Sequence, residues 1–113
     1  MATMKKRIYD ALVNNSDVHV SYSDTLETSL PRINFSLINH NSTRLSNKRY
    51  KQYLVYQVDY FSDRPLEVEN NTELWAITEA LESEGFLTTD WNEITEIDVE
   101  AQSGIYHYWI EVR

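Results

Sequence analysis

The stretch YKQYLVYQVDYF, residues 50–61, alternates two sets of large side chains. Leu54, Tyr56, Val58 and Tyr60 fall on one face of an extended chain, and Tyr53, Val55, Gln57, Asp59 and Phe61 on the other. Successive residues of a strand point to opposite faces, so aromatic groups on both sides predict a strand that is central or covered.

Upstream, Ile33, Phe35 and Leu37 alternate with Arg32, Asn34 and Ser36, the period of a second strand with one face in the core. The connection NHNSTRLSNKR, residues 39–49, is polar, basic and longer than hairpin turns ordinarily use. Residues 39–51 are therefore predicted to form an arm between two antiparallel strands, paired at its apolar base and projecting at its tip into solvent or a partner. Arg44, Lys48, Arg49 and Lys51 make this arm basic. With Tyr50 and Tyr53 they interleave cations and aromatic rings, as single-stranded nucleic-acid sites do.

Farther out, Met4, Ile8, Ala11 and Leu12 recur at helical spacing, predicting an amphipathic helix over 3–14 that ends in Asn14, Asn15 and Ser16. A short strand is expected over 18–22, then a polar loop over 23–29 that turns into sheet near Pro31. Downstream, Leu74, Ile77, Thr78 and Leu81 form one helical stripe, with Glu73, Glu79, Glu82 and Glu84 outside it. Asn70 and Glu73 approach a capping box, with an earlier start near Leu66, after Pro65, as the alternative. Gly85 suits the left-handed C′ position, from which Phe86 can fold back on Leu81. Residues 94–99 and 105–112 read as a C-terminal hairpin, with Tyr106, Tyr108, Ile110 and Val112 on one face of its second strand and Ile105, His107, Trp109 and Glu111 on the other. The order is α-β-β-β-α-β-β. The class is α+β, a mostly antiparallel sheet of about four to five strands with two helices on one face. At 113 residues the chain is expected to be a single domain.

Charge divides the chain. Residues 1–58 hold eight Lys/Arg and four Asp/Glu, whereas 59–113 hold two and fourteen, within a net charge of −8. Two surfaces with opposite preferences for partners are expected, and copies could stack plus to minus. The net charge also repels phosphates, which argues against specific nucleic-acid binding by the arm.

Chemistry is hard to build from these residues. Without cysteine there is no disulfide, thiolate metal site or thiol nucleophile. His19, His40 and His107 lie in separate segments without another His at i+2, i+3 or i+4, so no metal or cofactor is expected. Ser103-Gly104 only faintly resembles a nucleophile turn. Asp59 with Asp63, or Glu96 with Asp98, could be paired as acid and base, but an acidic half makes such pairs by chance. Two isolated glycines cannot cradle a phosphate. No catalytic, cofactor-binding or metal residues are therefore assigned. No stretch is a signal peptide or a membrane span, which points to a chain made in a cytoplasm, with no membrane partner.

Several segments, taken in order, carry a resemblance: KRIYDAL (6–12), LPRINF (30–35), YQVDYF (56–61), EGF (84–86) and IYHYWI (105–110). With them the chain resembles the tail terminator, or tail completion, proteins of long-tailed siphovirus phages of Gram-positive bacteria. The resemblance implies a structural virion protein, not an enzyme. It implies a homo-hexameric ring, monomeric before assembly, that caps the tail tube, ends its polymerisation and joins it to the head connector. Its partners would be further copies of itself, the tail tube protein and the head connector protein, at the head-tail junction, with DNA passing through unbound. Within that role Arg44, Lys48, Arg49, Tyr50 and Lys51 are the expected contacts with a subunit or the tube. Glu93, Glu96, Asp98 and Glu100 are the expected acidic lining of the passage. The competing expectation is a small acidic inhibitor that binds a host protein or mimics nucleic acid through the −12 half.

Overall fold

A computed structural model describes residues 2–23, 29–45, 48–98 and 103–113. Its elements are α1 (Met4–Asn14), β1 (His19–Tyr22), β2 (Arg32–Leu45), β3 (Lys48–Ser62), α2 (Thr72–Ser83), β4 (Asn92–Asp98) and β5 (Ser103–Val112). The strands form one mixed sheet in the order β1-β2-β3-β5-β4. Only β1 with β2 is a parallel pair; the other three pairings are antiparallel. The predicted element order and class hold, and β3 lies centrally, as its two-faced aromatic pattern required.

Register explains which face is covered. Ile33 sits opposite Tyr60 and Phe35 opposite Val58, while Val58 meets Ile110 and Tyr60 meets Tyr108 across β5. These positions share one face, and onto it Ile8 and Leu12 of α1 and Leu74, Ile77 and Leu81 of α2 pack into a single core cluster. Burying each such aliphatic side chain contributes about 1.5–3 kcal/mol. Both helices therefore cover the same side of the sheet.

Local chemistry sets the helix ends. Thr3 caps α1, its Oγ1 accepting from the Lys6 N–H at 3.2 Å, and the Asn15 and Ser16 side chains bond back to the Ala11 and Leu12 carbonyls at the other end. For α2 the cap is Asn71, whose Oδ1 accepts from the Leu74 N–H at 3.0 Å, one residue later than the Asn70 capping box expected from sequence. Glu73 does not complete a capping box: its carboxylate accepts the Tyr60 hydroxyl. Gly85 takes φ +90° and the Phe86 N–H bonds to the Leu81 carbonyl, the predicted helix stop.

The arm is built differently from its sequence reading. What reads as a long irregular connection is paired strand from Asn39 opposite Val55 to Leu45 opposite Lys48. Polar residues hide this strand because the ribbon has no core face to impose alternation. A register shift beside Ile38, exposed to 45%, marks where the ribbon leaves the sheet, and a second beside Tyr50 interrupts it near the tip.

Candidate functional site

Strand lengths place two hairpins at opposite ends of the molecule. β5 stops pairing at Val112 opposite Tyr56, so β2 and β3 continue alone past that point. Residues 39–45 extend the ribbon about 23 Å beyond the sheet at the rise of a strand. Because β5 runs antiparallel to β3, the β4–β5 hairpin projects from the other end, where Glu96, Ile97 and Asp98 pair with Ile105, Gly104 and Ser103. The longest dimension is 57 Å against 29 and 22 Å.

The charge split is sharper in the fold than by halves. Residues 28–58, which include all of β2, contain five Lys/Arg and no Asp/Glu; residues 65–112 contain twelve Asp/Glu and no Lys/Arg. The basic residues of α1 do not add to the basic surface to the same degree. Lys6 pairs with Asp10 at 2.9 Å, Arg7 lies 3.6 Å from the Glu84 carboxylate and bonds its backbone carbonyl, and Lys5 rests over the Tyr22 ring at 3.8 Å. The ribbon keeps its cations close together: Arg44 stands opposite Arg49, and Leu45 opposite Lys48. Lys51 and Tyr53 are exposed, with the ammonium 5.2 Å from the ring centre.

The expected passage residues are not equivalent. Glu93, exposed on the edge strand β4, also accepts the Tyr108 hydroxyl at 3.2 Å and so is tied to the core. Glu96 and Asp98 belong to the free length of β4, whereas Glu100 lies outside the described residues.

Sequence reasoning missed two features. On the sheet face away from the helices, Asp59 is 6% exposed; its Oδ1 lies 2.6 Å from His107 Nε2 and accepts from Gln57 Nε2 at 2.7 Å. The His107 ring stacks on Phe61 at 4.4 Å, and the Arg32 guanidinium lies over the Phe61 ring at 4.3 Å from its centre. This cluster links β2, β3 and β5, with Asp59 as its shared acceptor, while Asp63 is exposed. The three histidines stay apart: His40 is exposed and bonds Gln52 at 2.8 Å, and no group of metal-ligating side chains forms among the described residues.

The second is a groove of about 400 Å³ between α2 and the segment leading into β4, lined by Val68, Trp75, Trp91 and the carboxylates of Glu69, Glu79, Glu82 and Asp90. Trp75 is 63% exposed. Its position off the Leu74, Ile77, Leu81 stripe, among glutamates, was the available signal. The Tyr108 hydroxyl ties the groove wall to the core. It accepts from the Leu66 N–H at 2.7 Å and lies 3.2 Å from the Leu66 carbonyl, two residues before Val68. Burial, against the pull of that backbone bond and helped by Glu93, pushes the Tyr108 hydroxyl above the usual tyrosine range. Burial and the Glu73 bond do the same to Tyr60.

The molecule thus offers surfaces for protein contact: a projecting cationic ribbon, an acidic opposite end and an acidic groove with an exposed indole. No curated protein is similar enough to be counted a relative. A family model described as phage tail terminator protein matches residues 3–113, nearly the whole chain. With that match and this architecture, the chain belongs to the phage tail terminator proteins, structural components of the tail.

Proposed function

We propose that this chain closes the tail tube as a hexameric ring, stops its polymerisation and presents the surface onto which the head connector docks at the head-tail junction. A closed ring needs heterologous contacts, in which one surface of a subunit meets a different surface of the next. The observation that carries this reading is the placement of an acid-free ribbon at one end of a molecule whose other elements, from α2 to β5, hold no Lys or Arg. Arg44, Lys48, Arg49, Tyr50 and Lys51 then contact a neighbouring subunit or the tube. An exposed ion pair adds only about 0–1 kcal/mol, so apolar burial supplies most of the association and charge sets its direction.

In the same reading Glu96 and Asp98, with Glu100 after them, line the passage, whereas Glu93, on the other face of β4 and bonded to Tyr108, lies outside that lining. Carboxylates there prevent the counterion-releasing contacts that hold proteins on DNA, so the genome slides through. The test removes the chain from an infection. Tails of uncontrolled length that fail to join heads are expected, with normal tails restored by the wild-type chain. Tails of normal length joined to heads in its absence would refute the reading. Reversing Arg44, Lys48 and Arg49 to Glu should abolish assembly in light scattering; unchanged assembly would remove the ribbon from the interface.

A further inference from the structure

We infer that the groove beside Trp75 is the seat of the β2–β3 ribbon of a second copy of this chain, an inference that rests on the assembly reading above. Among the described residues the groove lining contains four acidic residues, Glu69, Glu79, Glu82 and Asp90, and no cation. Trp75 stands in it with 63% of its surface exposed, an indole face suited to an arginine or lysine. The other exposed positions of α2, Thr72, Glu73, Glu79, Glu82 and Ser83, are polar.

The ribbon is the matching part. It contains no Asp or Glu, and its register sets Arg44 opposite Arg49, two cations for the four carboxylates of the groove. Beyond Tyr56 no third strand pairs with it among the described residues, and a two-stranded hairpin is marginal alone in water, with strand edges open to a partner. Tyr53, 49% exposed, adds an aromatic surface near its base. Among the described residues, 39–45 and 48–55 of the ribbon pair only with each other and none lines the groove of its own chain. A second copy satisfies both surfaces at once, and ribbon-to-groove contact is heterologous, so it can repeat around a ring. Nucleic acid is the competing anion, disfavoured by the net charge of −8.

The test compares E79K/E82K, W75A, R44E/R49E and the combination E79K/E82K/R44E/R49E, each checked for native circular dichroism. Association is measured by sedimentation velocity over a concentration series, with and without tail tubes, and by binding to duplex DNA. The groove pair and the ribbon pair should each weaken self-association at least tenfold, W75A several-fold, and the combined reversal should restore much of the loss. A chain without native cysteine also permits R49C/E79C, which should cross-link between copies under a bifunctional thiol reagent. If the groove variants assemble like wild type while the ribbon variant does not, the ribbon docks elsewhere: the inference fails and the assembly reading stands. If wild type neither self-associates nor joins tubes, the assembly reading fails with it. Loss of DNA binding in R44E/R49E with assembly intact assigns the ribbon to nucleic acid and overturns the proposal.

Discussion

Replacing Tyr108 by Phe removes one oxygen from the best-protected polar contact in the core. The ring has no exposed surface, and its hydroxyl stands 2.7 Å from the Leu66 nitrogen and 3.2 Å from both the Leu66 carbonyl and Glu93 Oε1. Phenylalanine keeps the packing, so no cavity term arises. What is lost is the hydrogen bond itself, about 0.5–1.5 kcal/mol net, and the Leu66 N–H is left without its acceptor, which raises the cost toward about 1–3 kcal/mol. Leu66 is only partly buried, so water offsets some of this, and we expect about 1.5–2 kcal/mol. For a chain of this size that corresponds to a fall in Tm of about 6–10 °C. Tyr60→Phe is the internal control, because its partner Glu73 is exposed and can turn to solvent; its loss should stay below about 1 kcal/mol. Urea unfolding followed by tryptophan fluorescence measures both. Since Leu66 leads into Val68 and Glu69 on the groove wall, Tyr108→Phe should also weaken self-association while Tyr60→Phe leaves it unchanged. Equal stability losses in the two variants, or a Tyr108→Phe chain within about 0.5 kcal/mol of wild type, would refute the reasoning.

Other consequences are equally accessible. Asp59→Ala leaves the Gln57 amide and the His107 ring without their shared acceptor on a nearly buried site, and should cost about 1–3 kcal/mol by denaturant titration; a neutral result would show that water replaces Asp59. Gly85→Ala meets no neighbouring atom within 4 Å, so its cost is conformational, about 1 kcal/mol from the φ of +90°; a stabilised variant would contradict the helix-stop assignment. Burial raises the Tyr56, Tyr60 and Tyr108 hydroxyls in the folded chain, so their contribution is complete below the unfolded tyrosine pKa of about 10 and is lost as pH climbs through the folded values. Stability should therefore fall above pH ~10, by up to about 1.4 kcal/mol per pH unit for each tyrosine, and less steeply in Tyr60→Phe; a flat profile to pH ~11 would contradict it.

Readable in the sequence was whatever a core imposes. Ile33 and Phe35, Leu54 to Tyr60 and Tyr106 to Val112 alternate because one face is under helices, and the Ile8, Ala11, Leu12 and Leu74, Ile77, Leu81 stripes supply those helices. Residues 39–49 of the ribbon were legible as a basic arm but not as strand, since their polar side chains carry no period, whereas residues 50–55 were legible as strand. Asn71 rather than Asn70 caps α2 because adjacent asparagines offer the same side chain and only the helix phase chooses between them. The Asp59–His107 contact depends on β5 pairing with β3, a strand order that periodicity does not encode. The groove depends on how the chain from Phe86 to Trp91 returns along α2, and the sequence reading passed over its one signal, Trp75 amid glutamates.

Electron microscopy of tail tubes incubated with the purified chain tests the central claim most directly. A closed ring at one tube end is predicted, with neighbouring subunits joined ribbon to groove and tube growth arrested by its addition. Tubes that continue to lengthen with bare ends in the presence of the folded chain would contradict it.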